Sequence, residues 1–322
     1  MATLLNARDS VNSVGYSHDA ATLVSGHADS TILLSNLRRL REQQQLAASG
    51  DGVPADQPPP VRTLVGHSGP VYGLSFSRDD RFLLSSSQDG TARLWSVVDS
   101  PKLAGGSCLV CYRGHGFPVW DAAFSPLGYY FATASYDTTA RVWATDKLSP
   151  LRILVGHLAD VHCVRFHPNS NYVLTGSSDC SLRMWDVSSG SCVRLLCGHT
   201  AAVTSLAFSP DGRLAASGSA DKTVRVWELG SGKELYSFSG HAGSVWSVAF
   251  SHDEAGSGLL ASGGADSAVR LWDVNTSALS GEGMDSRPAG CVSEFFTRNT
   301  PVLYTTFTRR NLLLAAGPYT GR

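Results

Sequence analysis

Five times along the chain a histidine, a hydroxyl and a carboxylate recur in the same order. The sets are His67, Ser85 and Asp89; His115, Thr133 and Asp137; His157, Thr175 and Asp179; His199, Ser217 and Asp221; and His241, Ser262 and Asp266. Ser, His and Asp are the residues of an acyl-transfer triad, in which the imidazole takes the hydroxyl proton and the carboxylate steadies the imidazolium. An active site needs that constellation once. Here successive histidines lie 48, 42, 42 and 42 residues apart, and a tryptophan stands six residues after each Asp: Trp95, Trp143, Trp185, Trp227 and Trp272. An indole N–H, a hydroxyl, an imidazole and a carboxylate can satisfy one another in an interior where each alone is costly to bury. The repetition therefore predicts structural tetrads, in which Trp donates to Ser/Thr, Ser/Thr to His and His to Asp, and predicts no catalytic residue.

The elements that position these residues follow from the same spacing. Each histidine is preceded by Gly, and the interval to its Trp is 28 residues in the first four units and 31 in the fifth, from His241 to Trp272. Repeats of this length that end at Trp or Trp-Asp resemble WD40 repeats, which build β-propellers. Segments such as Val203–Phe208 and Val245–Phe250 are apolar or alternating and end in turn-forming residues, as strands do. Weaker units flank the five. Residues 11–37 hold Val11, Val14, Tyr16, Ser25, Asp29 and Ser35 in repeat register without the Gly-His, and residues 300–319 suggest a strand pair. The expectation is an all-β, seven-bladed WD40 β-propeller filling residues 1–322 as a single domain. Five blades would be regular and two degenerate, with residues 2–7 supplying an N-terminal strand that closes the ring.

Composition narrows the function. The net charge is −1 and the pI about 6.8, so there is no basic footprint for nucleic acid. No apolar run is long enough for a membrane span, and no signal peptide is evident. Seven cysteines favour reduced thiols. Cys108-Leu-Val-Cys111 has metal-like spacing but no second pair, so neither a metal nor a cofactor is expected, nor a small-molecule substrate. Residues 38–60 and 274–290 break the register and read as flexible insertions, the first with a helical start and a Pro58-Pro-Pro60 end.

Function then falls to the surfaces. In WD40 domains the exposed top positions lie three and five residues after the Gly-His histidine and one before the blade Asp. Here they include Tyr72, Trp120, Tyr136, Asp160, His162 and Trp246, the candidate protein-interaction residues. Aromatic side chains anchor interfaces through large rigid buried area. The alternative is that these rings fill the central channel.

More specific strings are present: Ala28-Asp-Ser-Thr31, Pro118-Val-Trp-Asp121, Gly128-Tyr-Tyr-Phe131, Trp143-Ala-Thr-Asp146, His157-Leu-Ala-Asp-Val161, Arg165-Phe-His-Pro-Asn-Ser-Asn-Tyr-Val173, and Phe307-Thr-Arg-Arg-Asn-Leu312 with Ala315-Ala-Gly317. Through them the chain resembles the WD40 propeller of the TBP-associated factor subunit five family, a component of TFIID and of SAGA-type coactivators. The resemblance spans roughly residues 8–319 apart from the two insertions. It implies a non-enzymatic scaffold in the nucleus whose partners are histone-fold subunits six and nine of a multisubunit complex. The family also carries N-terminal helical domains used in assembly. This chain begins almost at its first blade, so it reads as a fragment, a shortened gene model or a divergent paralogue. Two other readings compete. A substrate receptor of a cullin-type ubiquitin ligase often carries Trp-Asp-x-Arg, whereas the units here read Trp185-Asp-Val-Ser188 and Trp272-Asp-Val-Asn275. A G-protein-β-like signalling scaffold usually has a coiled-coil helix ahead of its blades, and no heptad precedes Val11.

Overall fold

Each repeat supplies four short strands of graded polarity, and that gradient fixes where each strand sits. In the unit that follows His67, the strands are Val71–Phe76, Phe82–Ser87, Thr91–Ser96 and Cys108–Arg113, paired antiparallel in chain order. The second strand is buried on both faces, with Leu83, Leu84, Ser85, Ser86 and Ser87 all at 0% exposure, whereas the fourth is mostly half-buried or exposed. A sheet that is apolar on both faces through its middle must be covered on both sides. Stacking successive sheets around an axis does this and leaves only the fourth strands at the rim. The second strands are correspondingly rich in Ser, Ala, Thr and Gly, because neighbouring blades approach closely there. A Cβ on Gly176 would stand 2.6 Å from Cγ1 of Val203 in the next blade and 2.7 Å from the Cys163 sulfur.

The computed structural model describes residues 10–49, 59–98, 107–252, 258–274, 290–297, 300–308 and 311–318. Among them are six four-stranded blades, spanning residues 11–64, 71–113, 119–154, 161–197, 203–239 and 245–296. This corrects the seven-bladed expectation. The segment expected to complete a seventh blade forms only a two-stranded sheet, Tyr304–Phe307 with Leu313–Ala316. It lacks the Trp and the loop His that tie strands together in blades two to six. It lies instead between the sixth blade and the first. The Val302 N–H donates to the Gly264 carbonyl at 3.0 Å, the Thr305 N–H donates to Ser247 Oγ at 2.9 Å, and the Tyr304 ring lies 6.3 Å from that of Tyr16. Residues 2–7, expected to close the ring, lie outside the described residues.

Blade one departs from expectation in the other direction. Its tetrad is incomplete, yet its sheet has the same four strands as the others, Val11–Tyr16, Thr22–His27, Ile32–Asn36 and Val61–Leu64. Between the third and fourth stands the helix Leu37–Ser49, capped by Asn36, whose Oδ1 accepts the Arg39 N–H at 3.1 Å. Of the two expected insertions, residues 50–58 and 275–289 lie outside the described residues. No described helix is long and apolar enough to cross a membrane.

Candidate functional site

Each tetrad joins a loop, a strand, a turn and a second strand. In blade two His67 sits in the loop before the first strand, Ser85 on the second strand, Asp89 in the turn after it and Trp95 on the third. Trp95 pairs with Leu83, two residues from Ser85 on the same face, so its indole reaches diagonally to the hydroxyl. Trp95 Nε1 donates to Ser85 Oγ at 2.8 Å, Ser85 Oγ lies 2.7 Å from His67 Nε2, and His67 Nδ1 lies 2.9 Å from Asp89 Oδ2. The same three contacts occur in blade three at 2.9, 2.8 and 2.7 Å. They recur in blade four at 2.9, 2.7 and 2.8 Å. In blade five they are 2.9, 2.7 and 2.8 Å, and in blade six 2.7, 2.7 and 3.0 Å.

Burial sets the protonation. It pushes the imidazoles of His115, His157, His199 and His241 below the usual histidine range, against the upward pull of their carboxylate partners. Burial would by itself raise the carboxylates, but hydrogen bonds outweigh it. Those from Ser181, the Leu158 N–H and His157 hold Asp179 at about 2, and those from His115 and Thr139 hold Asp137 at about 2. A neutral imidazole donating from Nδ1 to a carboxylate and accepting at Nε2 from a hydroxyl fits these distances. The hydroxyl oxygen is in turn occupied by an indole N–H. All five hydroxyls are at 0% exposure, so none faces a cleft that a substrate could enter.

The candidate interaction residues are positioned by a second recurrent device. The first strand of every blade carries a β-bulge near its start, so one residue is skipped in the pairing: Asn12, Tyr72, Trp120, His162, Thr204 and Trp246. A bulge bends the strand and re-aims the extra side chain. All six line one central channel, with a cavity volume of about 630 Å³. On one side the rings form a connected group. Trp120 lies 4.9 Å from Tyr72, 5.9 Å from His162 and 6.4 Å from Tyr136, ring centre to ring centre. Tyr136 in turn lies 5.9 Å from Phe117, and both are more than half exposed, at 52% and 55%. His162 Nε2 is 2.7 Å from Ser178 Oγ and 3.3 Å from Asp160 Oδ2, which brings Asp160 to the same side. Trp246 lines the channel from blade six and shares no ring contact with this group among the described residues. Asp121 and Arg165 also line the channel and are paired at 2.5 Å.

Three sets of residues escaped the reading of the sequence. Asn12 completes the ring of bulge residues but belongs to the blade without Gly-His, from which the top positions were counted. The available signal was Val, then the mouth residue, then a short residue: Val11-Asn-Ser13, Val71-Tyr-Gly73, Val119-Trp-Asp121, Val161-His-Cys163, Val203-Thr-Ser205 and Val245-Trp-Ser247. His27 was also missed. It is 1% exposed and its Nε2 lies 2.8 Å from Ser25 Oγ, so an imidazole two residues along the strand takes the place of the absent loop histidine. The third set is an arginine two residues before each Trp: Arg93, Arg141, Arg183, Arg225 and Arg270. Four of them lie over the glycine of Gly-His. A Cβ on Gly66 would meet Arg93 Nη1 at 2.9 Å, and Gly114, Gly156 and Gly198 meet Arg141, Arg183 and Arg225 in the same way. That approach is the physical reason for glycine before the histidine.

Repeating four-stranded blades, five of the six stitched by Trp, Ser/Thr, His and Asp, define a WD40-type β-propeller. The chain belongs to that family: it matches the model of the WD domain, G-beta repeat, at residues 1–34, 58–96, 106–144, 148–186, 190–228 and 232–273. It is also similar to transcription initiation factor TFIID subunit 5 of Arabidopsis thaliana, with 44% identity over 117 residues, covering 34% of this chain and 17% of that protein. The SAGA complex/transcription factor TFIID complex subunit Taf5 of Schizosaccharomyces pombe is 40% identical over 97 residues, which is 30% of this chain and 14% of the relative. TFIID subunit 5 of Caenorhabditis elegans is 35% identical over 180 residues, or 51% of this chain and 26% of the relative. The chain thus spans a small part of the length of these curated relatives.

Proposed function

We propose that this propeller is a non-enzymatic protein-interaction scaffold of the TFIID and SAGA type. In this reading it acts in the nucleus and contacts histone-fold subunits in support of transcription initiation. The observation that carries the reading is that relatives from plant, yeast, fly, microsporidian and nematode, all 35–44% identical over the matched stretch, are named as TFIID subunit 5 or Taf5. The burial of every Ser/Thr–His–Asp set favours a scaffold over a hydrolase, because a hydroxyl enclosed by an indole and an imidazole has no path to a substrate. The mouth supplies what an interface needs. Tyr72, Trp120 and Tyr136 offer rigid aromatic area, and His162 and Asp160 lie beside them as polar groups.

The test is affinity purification of the tagged chain from nuclear extract, with its partners identified by mass spectrometry. Histone-fold subunits of TFIID or SAGA are expected in the eluate, and Trp120→Ala combined with Trp246→Ala should deplete them without lowering the melting temperature. Recovery of a cullin and its adaptor instead would overturn the assignment. Undiminished histone-fold recovery with the double variant would place the interface elsewhere on the propeller.

A further inference from the structure

The arginines that stand two residues before each Trp offer an internal comparison, because five blades repeat one framework with different neighbours. In blades three, five and six the guanidinium is paired with a carboxylate. Arg141 reaches Asp137 at 3.4 Å, Arg225 reaches Glu234 at 2.5 Å, and Arg270 reaches Asp266 at 2.7 Å and also Glu294. Arg93 of blade two has no carboxylate partner among the described residues. Its neighbour is the Cys108 thiol at 3.8 Å. Cys108 pairs with Trp95 in the ladder, as Glu234 pairs with Trp227 in blade five, so a thiol occupies the place from which blade five supplies its carboxylate.

Two further differences set blade two apart. Arg113 ends the outer strand of blade two, whereas the matching positions hold Val65, Val155, Cys197, Ser239 and Phe296. Gly90 follows the tetrad Asp at φ +77°, where the other blades carry Ser30, Thr138, Cys180, Lys222 and Ser267. Gly90, Arg93 and Arg113, with Ser68 and Thr91, line a cleft of about 320 Å³ between blades two and three. Asp89 also lines it, but that carboxylate accepts from His67 Nδ1, the Ser68 N–H and both the N–H and hydroxyl of Thr91. Arg183 of blade four likewise has no carboxylate partner among the described residues, but it has Cys180 in place of the glycine and Cys197 in place of the second arginine. Among the described residues, only blade two therefore combines an arginine without a carboxylate, a second arginine and a glycine after the tetrad Asp.

We propose that this cleft binds an acidic side chain of a partner protein, its carboxylate shared by Arg93 and Arg113 in the way that Arg225 holds Glu234. A guanidinium offers several donors in a fixed planar array that matches a carboxylate, and a second guanidinium adds charge without new backbone order. The site stands apart from the channel mouth and does not depend on the TFIID reading.

The experiment is fluorescence anisotropy of a labelled tetraglutamate peptide on the full chain, with a tetraglutamine peptide as control. Three variants accompany it: Cys108→Glu, Cys108→Gln and Arg113→Glu. Cys108→Glu restores in blade two the carboxylate that blade five already accommodates, and so gives Arg93 a partner from within the chain. Tetraglutamate should bind in preference to tetraglutamine, and Cys108→Glu and Arg113→Glu should each weaken binding roughly tenfold while Cys108→Gln retains it. No preference for tetraglutamate, or undiminished binding in Arg113→Glu or in a folded Cys108→Glu, would overturn the proposal. So would inorganic phosphate displacing the peptide at a lower concentration than unlabelled tetraglutamate, since that would mark a small-anion site.

Discussion

Blades one and four have the same four-stranded, antiparallel sheet, yet they are held by different chemistry. In blade four Asp179 accepts from His157, from the Leu158 N–H at 3.0 Å, and from the N–H and hydroxyl of Ser181 at 2.9 and 2.6 Å. One carboxylate thereby ties the entry loop to the turn, and Thr175 and Trp185 carry the chain on to the second and third strands. Blade one has Ser35 where Trp185 stands, and its Asp29 is exposed, bonded by the N–H and hydroxyl of Thr31 two residues on. Its imidazole, His27, comes from the second strand itself, where Nε2 lies 2.8 Å from Ser25 Oγ. The sheet therefore does not require the tetrad. Apolar alternation and burial between neighbours form the blade, and the tetrad adds a lock between the blade and its entry loop.

Two expectations sharpen that contrast. The larger concerns the carboxylates. Asp179→Ala leaves two or three buried donors without an acceptor and should cost about 2–4 kcal/mol, while Asp29→Ala should cost less than about 1 kcal/mol. Urea unfolding of the two variants reads the difference directly, and equal losses would break the comparison. The smaller is a dependence on pH. The histidines of blades three to six have lowered values in the folded chain, so the unfolded chain binds more protons as pH falls below about 6.5. Stability present above that pH should decline gradually on acidification, with a second loss below about 4 as Asp137 and Asp179 are protonated toward about 2. Melting temperatures of the wild-type chain taken from pH 7.5 to 5 should fall accordingly. A flat profile would show that the imidazoles are not held neutral by burial.

The repeat was legible because one chemical set recurs at nearly fixed spacing, and local order of that kind survives in a single sequence. Strand positions followed from apolar runs closed by turn residues, as at Val203–Phe208. The number of blades was not legible in the same way. Residues 302–316 contain two strand-like segments, but whether a hairpin recruits two more strands depends on contacts far away in sequence, and here Val302 and Thr305 bond to blade six instead. The mouth residues were read by counting from Gly-His, which finds Tyr72, Trp120, His162 and Trp246 but cannot find Asn12. The arginine at each third strand went unread because a charged residue between apolar ones looks like solvent-facing alternation. Its position over the glycine of its own blade's entry loop appears only once the loop is folded onto the third strand.

The most direct test of the tetrad as a coupled lock is a double-mutant cycle between His157→Ala and Asp179→Ala, measured by equilibrium urea unfolding beside the blade-one pair Ser25→Ala and Asp29→Ala. The blade-four variants should be strongly subadditive, with a coupling of about 1–3 kcal/mol, while the blade-one pair adds within about 0.5 kcal/mol. Additive losses in blade four would contradict the account, for they would mean that His157 and Asp179 stabilise the chain independently and that no lock exists.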